Sequence, residues 1–130
     1  MNKRRVDMWI PKAYTVLEQV GIAKDKQLGK WWKGQISAFG ASVAQGSLLA
    51  AVAFFSKNDD ERAKLMEAIQ KVLGIKESLR VYVQPPVSAE VREKVMDAAV
   101  ALKLAMNLYD LEKERNSDDE SKQDESELLV

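Results

Sequence analysis

The chain has 130 residues and a mass of 14.6 kDa, the size of one ordinary domain. Hydrophobic residues make up 46% of it, which is enough for a buried core and excludes a chain that is disordered throughout. It contains no histidine and no cysteine. Their absence excludes a serine–histidine triad, a cysteine nucleophile, a His/Cys zinc site, an iron–sulfur cluster and a disulfide.

The formal net charge of zero conceals an uneven distribution. Residues 1–33 carry eight basic and three acidic residues, whereas residues 111–130 carry three basic and eight acidic ones. Residues 34–56 carry no charge, and residues 57–110 are balanced. The chain therefore has a basic front, a neutral middle and an acidic end.

The first predicted element is a helix. Apolar residues recur at steps of three and four, which gives one buried stripe: Val6, Trp9, Ile10, Ala13, Val16, Leu17 and Val20. Pro11 lies inside the stripe, so the helix either kinks there or begins there. Gly21 is expected to end it, and a polar connector follows from Lys24 to Gly29.

The neutral middle predicts two helices, at about residues 31–45 and 47–57, with a break at Gly46 and Ser47. Because neither helix has a charged face, we expect both to be covered on nearly all sides. Gly46 is then expected to lie at a close helix contact or at a bend, where a larger side chain would overpack the core. The stretch is long enough to span a membrane, but its polar residues and glycines favour a buried helix pair.

Two further helices complete the predicted fold. One begins near Asn58 and ends at Gly74, and another begins at Ser88 and continues for more than twenty residues. Between them, 75–87 predicts an extended connector or a short turn of helix rather than a strand, since no partner strand is evident. The sequence thus predicts an all-α fold, a single compact bundle of about five to six helices at 1–115, with a disordered acidic C-terminal tail at 116–130.

No motif indicates an enzyme or a cofactor site. Asp59, Asp60 and Glu61 could hold magnesium, but acids at a helix N-terminus explain the cluster better. No Gly-rich phosphate loop is present, and no second acidic cluster completes a two-metal site. We therefore expect no catalytic residues, no metal and no cofactor.

The basic front offers the candidate binding residues, which are Arg4, Arg5, Lys12, Lys30 and Lys33 for nucleic acid and Trp31 and Trp32 for a protein interface. Lysine and arginine with interleaved aromatics can hold phosphates and stack on bases. Tryptophan and arginine are equally typical of protein–protein interfaces. The residues alone leave both uses open.

Two stretches carry a family resemblance. The first is Arg4-Arg5-Val6-Asp7-Met8-Trp9-Ile10-Pro11-Lys12-Ala13-Tyr14, and the second runs from Trp31 to Lys57. Both resemble the small helical subunit, the fifth Cmr subunit, of the type III-B CRISPR effector complex. The family's Gln-x-x-Gly-Leu step is interrupted here, where Ser47 separates Gly46 from Leu48, while its Ala-Phe ending is kept at Ala53-Phe54.

The resemblance implies a small helical protein without catalytic activity that works in antiviral defence. It would stack on copies of itself, on the large polymerase-like subunit and on the crRNA-binding backbone subunit, and contact target RNA through basic faces. Lys12, with Arg4 and Arg5, is the candidate RNA contact that this implies.

Two other functions stay open from the residues. The chain could be a helical protein–protein adaptor with no nucleic-acid contact, or a peripheral membrane protein that uses its basic N-terminus. Glu18 on the polar side of the first helix argues against membrane binding. The absence of cysteine and of an apolar leader leads us to expect a cytoplasmic location and no membrane partner.

Overall fold

The computed structural model describes residues 1–57 and 61–111. This part contains six helices, α1 Lys3–Gln19, α2 Lys30–Gln45, α3 Leu48–Phe55, α4 Ala63–Leu73, α5 Leu79–Tyr82 and α6 Ala89–Met106. Three two-residue strands accompany them, β1 Ala23–Lys24, β2 Gln27–Leu28 and β3 Asp110–Leu111. The helical bundle that the sequence predicts is confirmed, whereas the predicted tail at 116–130 and the Asp59–Asp60 part of the acidic cluster lie outside the described residues.

Helix α1 begins well before its proline. The Asn2 side chain caps it by accepting a hydrogen bond from the backbone N–H of Arg5 at 3.0 Å. The helix runs through Pro11, so the alternative that it begins there is wrong. Gly21 follows the end of the helix with a φ of 82°, a left-handed conformation that glycine adopts at low cost.

The break between α2 and α3 falls where the sequence predicts it. The Ser47 hydroxyl accepts a hydrogen bond from the Ala50 backbone N–H at 3.0 Å, which caps α3. Of the two positions expected for Gly46, the bend is confirmed, whereas a close helix contact in the core is wrong because Gly46 is exposed. A Cβ added there would lie 3.2 Å from the Ser42 carbonyl oxygen, so a side chain would crowd the end of α2 rather than the core.

The expected burial of both central helices is correct only in part. Helix α3 buries Leu48, Ala51, Val52 and Phe55, but α2 buries only the stripe Ile36, Phe39 and Val43. The small uncharged residues between them are mostly exposed. Absence of charge therefore did not mean burial, because α2 packs on α6 and α3 along one side only.

The polar connector after α1 forms a hairpin that the sequence analysis did not predict. Strands β1 and β2 pair antiparallel around Asp25 and Lys26, whose φ angles are 53° and 61°. Strand β3 then pairs parallel to β2, and the Asp110 N–H donates to the Lys26 carbonyl at 3.2 Å. The end of α6 is thereby held beside the start of α2.

Helix α6 forms the centre of the bundle, where α1, α2 and α4 all pack on it. Its alanines at 98, 101 and 105 have no exposed surface, which permits this close approach of several helices. The connecting segment at 75–87 contains the four-residue helix α5, which is capped by the Ser78 hydroxyl, and then a cis Pro85–Pro86 bond. The choice of a helical turn over a strand is confirmed.

Candidate nucleic-acid and protein interface

Arg4 and Arg5 are neighbours in sequence but have different environments. Arg4 is exposed on α1. The Arg5 side chain is only 17% exposed, and its Nη2 lies 2.8 Å from Asp97 Oδ2 and 3.4 Å from Glu93 Oε1. Its guanidinium also lies over the Trp9 ring, 5.7 Å from the centroid. Arg5 therefore ties α1 to α6, a structural use that the sequence analysis did not predict.

Asp97 is the buried partner of that pair and is 1% exposed. Its Oδ2 accepts from Arg5 Nε at 2.9 Å and from the Asn2 backbone N–H at 3.3 Å. A buried carboxylate is stable only when it is paired and hydrogen-bonded in this way. Arg5 is therefore the compensating charge for an acid inside the bundle.

Lys12 lies near the end of another helix. Its Nζ is 3.4 Å from the position that a Cβ would take at Gly74, the C-cap of α4. A cation near a helix C-terminus interacts favourably with the helix dipole. Lys12 is nevertheless exposed, so its ammonium group lies at the surface as well as near the end of α4.

The other residues of the Lys-Ala-Tyr motif serve packing. Ala13 has no exposed surface, and the Tyr14 ring stacks on Tyr109 with the centroids 4.2 Å apart. The Tyr109 hydroxyl donates to the Tyr14 carbonyl oxygen. Burial, the Glu18 carboxylate and Tyr14 together raise the pKa of Tyr109 from 10.0 to about 12. The motif thus fixes α1 against the end of α6.

The predicted residues at the start of α2 divide between surface and core. Lys30 is exposed, Lys33 is partly exposed, and Trp31 is 47% exposed. Trp32 is half-buried against the core, with its ring at an edge-to-face distance of 4.8 Å from Trp31. Of the two tryptophans, Trp31 therefore presents more of its ring to a partner.

The structure adds an aromatic–cation cluster, which consists of Trp31, Phe54, Lys57 and Arg62. The Arg62 guanidinium lies over Trp31 at 5.8 Å and over Phe54 at 5.6 Å from the ring centroids. Lys57 Nζ lies 5.5 Å from the centroid of Phe54, which is 52% exposed. Cations over partly exposed rings contribute about 0.5–1 kcal/mol each.

Gln35 holds the cluster in place, since its Oε1 accepts from Arg62 Nε at 2.8 Å. Sequence reasoning missed Phe54, Lys57 and Arg62 as site residues. One signal was present: Phe54 lies off the stripe that Leu48, Val52 and Phe55 form, so one of two adjacent phenylalanines had to face away from the core.

The basic residues belong to two different helices. Arg4 and Lys12 lie on α1, which packs on α6 and α4, while Lys30 and Lys33 lie on α2, which packs on α6 and α3. The basic residues of the front of the sequence therefore lie on two helices with different packing partners rather than on one helix face.

No group of acidic residues in the described parts of the chain could hold a metal ion. An open cleft of about 400 Å³ lies between α2 and α6, lined by Ala44, Arg92, Met96 and Val100 among others. A smaller one of about 180 Å³ lies between α4 and α5. Among residues 1–57 and 61–111, no helix has the length and hydropathy needed to cross a membrane.

Comparisons with models of known protein families, with curated proteins and with solved structures find no match to this chain. The side chains described above and the resemblance of the two sequence motifs are therefore the features that bear on function.

Proposed function

We propose that this chain is a non-catalytic structural subunit of a type III-B (Cmr) CRISPR ribonucleoprotein in cytoplasmic antiviral defence. In this role it stacks with the large polymerase-like subunit, the crRNA-binding backbone subunit and copies of itself. It contacts the backbone of target RNA through basic side chains, and the aromatic–cation cluster is the observation that carries the proposal.

The cluster supports contact with single-stranded RNA on physical grounds. Exposed rings such as Trp31 and Phe54 can stack on bases of any sequence. Lys30, Lys33 and Lys57 beside them can neutralise phosphates and release counterions. Stacking and phosphate contacts of this kind do not depend on base identity, so affinity without sequence preference is expected.

The packing of the motifs also supports the proposal. The motif residues Ala13, Tyr14 and Phe55 are core or near-core residues, and helical packing is what the resemblance to the small subunit implies for them. Arg4 and Lys12 remain exposed in the first motif, where the resemblance predicts an RNA contact.

The test is a salt titration of mixed-sequence single-stranded RNA binding by the full chain, alone and in the assembled complex. The variants are Arg4→Glu with Lys12→Glu, and Lys30→Glu with Lys33→Glu. Lys71→Glu with Lys103→Glu, two exposed lysines on α4 and α6, is the matched control. We expect the first two pairs to lower affinity and to reduce the slope of log affinity against log salt by about 0.7 per lost phosphate contact. Equal losses in all three pairs would reject a localised RNA contact.

A helical protein–protein adaptor is the second candidate function, and the exposed side of α2 favours it. This side carries small uncharged residues next to Trp31, and exposed apolar patches mark protein interaction sites. The adaptor predicts that Trp31→Ala and Phe54→Ala abolish subunit association while the four charge reversals have no effect on RNA binding. The proposed subunit predicts an effect of the charge reversals as well.

A further inference from the structure

Four lysines lie on the hairpin and in the first turn of α2, and we call them the lysine surface: Lys24, Lys26, Lys30 and Lys33. The first three are exposed and the fourth is partly exposed. Among residues 1–57 and 61–111, none of the four ammonium groups lies within salt-bridge distance of a carboxylate. Asp25 and Asp110 are the nearest acids along the hairpin and β3, so the surface keeps a positive excess.

The described part of the chain ends at this same place. Strand β3 pairs with β2 over Gln27↔Asp110 and Leu28↔Leu111, and the next residue is Glu112. The pairing is fixed further by the hydrogen bond from the Asp110 N–H to the Lys26 carbonyl. Residue 112 therefore follows directly from a strand that is bonded to the lysine surface.

The segment that begins there carries the opposite charge. Residues 112–130 contain eight acidic and three basic residues, a net charge of −5. Six of the acids lie at positions 118–127, within a stretch that has a single lysine. A segment of that size attached next to a positive surface has an effective concentration of about millimolar, so weak ion pairing is enough to populate a contact.

We propose that the acidic segment 112–130 binds the lysine surface of its own chain and screens it from other polyanions. Its charge complements the lysines, and its point of attachment lies beside them. The contact is electrostatic, so it weakens as the screening length falls from about 10 Å at 0.1 M salt to about 3 Å at 1 M.

The test uses the absence of cysteine, because Ser121→Cys gives one attachment point for a paramagnetic label in the full chain. Amide signals are recorded by NMR with the label oxidised and reduced. We expect a loss of signal at residues 24–33 at low salt that is reversed at about 1 M salt. No nucleic acid is present, so failure of this contact is distinguishable from failure of the proposed RNA binding.

Signal loss at residues 24–33 could also arise simply because the segment is attached close to them. A second labelled chain controls for this. It carries Asp118→Asn, Asp119→Asn, Glu120→Gln, Asp124→Asn, Glu125→Gln and Glu127→Gln, which remove the charge and keep the length. Its signals at residues 24–33 should be retained. Equal broadening in both chains would overturn the proposal, as would broadening that is uniform over the bundle.

A matched pair of surface variants locates the contact. Lys24→Gln, Lys26→Gln and Lys30→Gln together should abolish the broadening, whereas Lys71→Gln, Lys76→Gln and Lys103→Gln should leave it unchanged. The opposite result would place the acidic segment on another surface.

Discussion

Two adjacent arginines show what single residues contribute to this molecule. In the sequence Arg4 and Arg5 are equivalent members of a basic front, and both were candidate RNA contacts. In the structure Arg5 is paired with the buried Asp97 and Arg4 is exposed. The sequence could not separate them, because Asp97 lies 92 positions away and its burial follows from the packing of α1 on α6.

This difference gives the first prediction. Arg5→Ala should destabilise the chain by about 3–5 kcal/mol, because it leaves the Asp97 carboxylate buried without its compensating charge. Arg4→Ala, the adjacent exposed position, should change the free energy of unfolding by about 0.5 kcal/mol or less. Urea unfolding of both variants measures this, and equal midpoints would contradict the structural role of Arg5.

The raised pKa of Tyr109 gives the second prediction. Folding favours the protonated phenol, since its pKa rises from 10.0 to about 12 through burial first, then Glu18 and Tyr14. The stability that this contributes is fully present below pH 10 and is lost as the pH rises to about 12. Tyr109→Phe should lower the free energy of unfolding by about 1 kcal/mol below pH 10 through the lost hydrogen bond to Tyr14.

The same variant should remove most of the alkaline fall in stability, which urea unfolding at a series of pH values measures. Tyr82→Phe, a half-buried tyrosine on α5, is the control and should keep that fall. If Tyr109→Phe also keeps it, another group is responsible for the alkaline loss.

At the scale of elements, periodicity predicted the helices and failed on short non-helical structure. The stripes of α1, α4 and α6 have a 3.6-residue period over several turns, so their existence could be predicted. The small sheet could not be predicted in this way. Its two-residue strands are too short to show a period of two, and β3 pairs with a strand more than eighty positions earlier. Of the candidate site, the sequence predicted the residues from Lys30 to Lys33. It did not predict Phe54 and Arg62, because tertiary packing brings them beside Trp31.

The third prediction concerns the break between α2 and α3. Ser47→Ala should destabilise the chain by about 1 kcal/mol, because the Ala50 N–H loses its capping acceptor. Ser37→Ala, an exposed serine inside α2, is the control and should be neutral or slightly stabilising, since alanine is the better helix former. Thermal unfolding measures both, and a Ser47→Ala variant that unfolds like Ser37→Ala would show that the cap is unimportant.

The fourth prediction concerns the hairpin that the sequence analysis missed. Lys26 has a φ of 61°, a left-handed conformation that costs a residue with a Cβ about 1–2 kcal/mol. Lys26→Gly should therefore stabilise the chain, because Asp-Gly is a favoured pair for such a two-residue turn. Lys24→Gly, in strand β1, should destabilise it. Urea midpoints that shift in the same direction for both would contradict the turn geometry.

At the scale of the whole molecule, the zero net charge is the sum of a basic front and an acidic end, and the β2–β3 pairing places Leu111, where the acidic end begins, beside Leu28 of the basic front. In such a chain, the acidic segment competes with external polyanions for the lysine surface. The proposed RNA contact and the proposed binding of the acidic segment then predict one joint result.

The fifth prediction is that the full chain with the six tail acids neutralised binds mixed-sequence single-stranded RNA about twofold or more tightly at low salt. The gain should vanish near 1 M salt, because both the competition and the RNA contact are then screened. It should also vanish when Lys24, Lys26 and Lys30 are changed to Gln, since the competed surface is then absent. A gain that persists in the lysine variant would indicate general repulsion by the acidic segment rather than occupancy of the lysine surface.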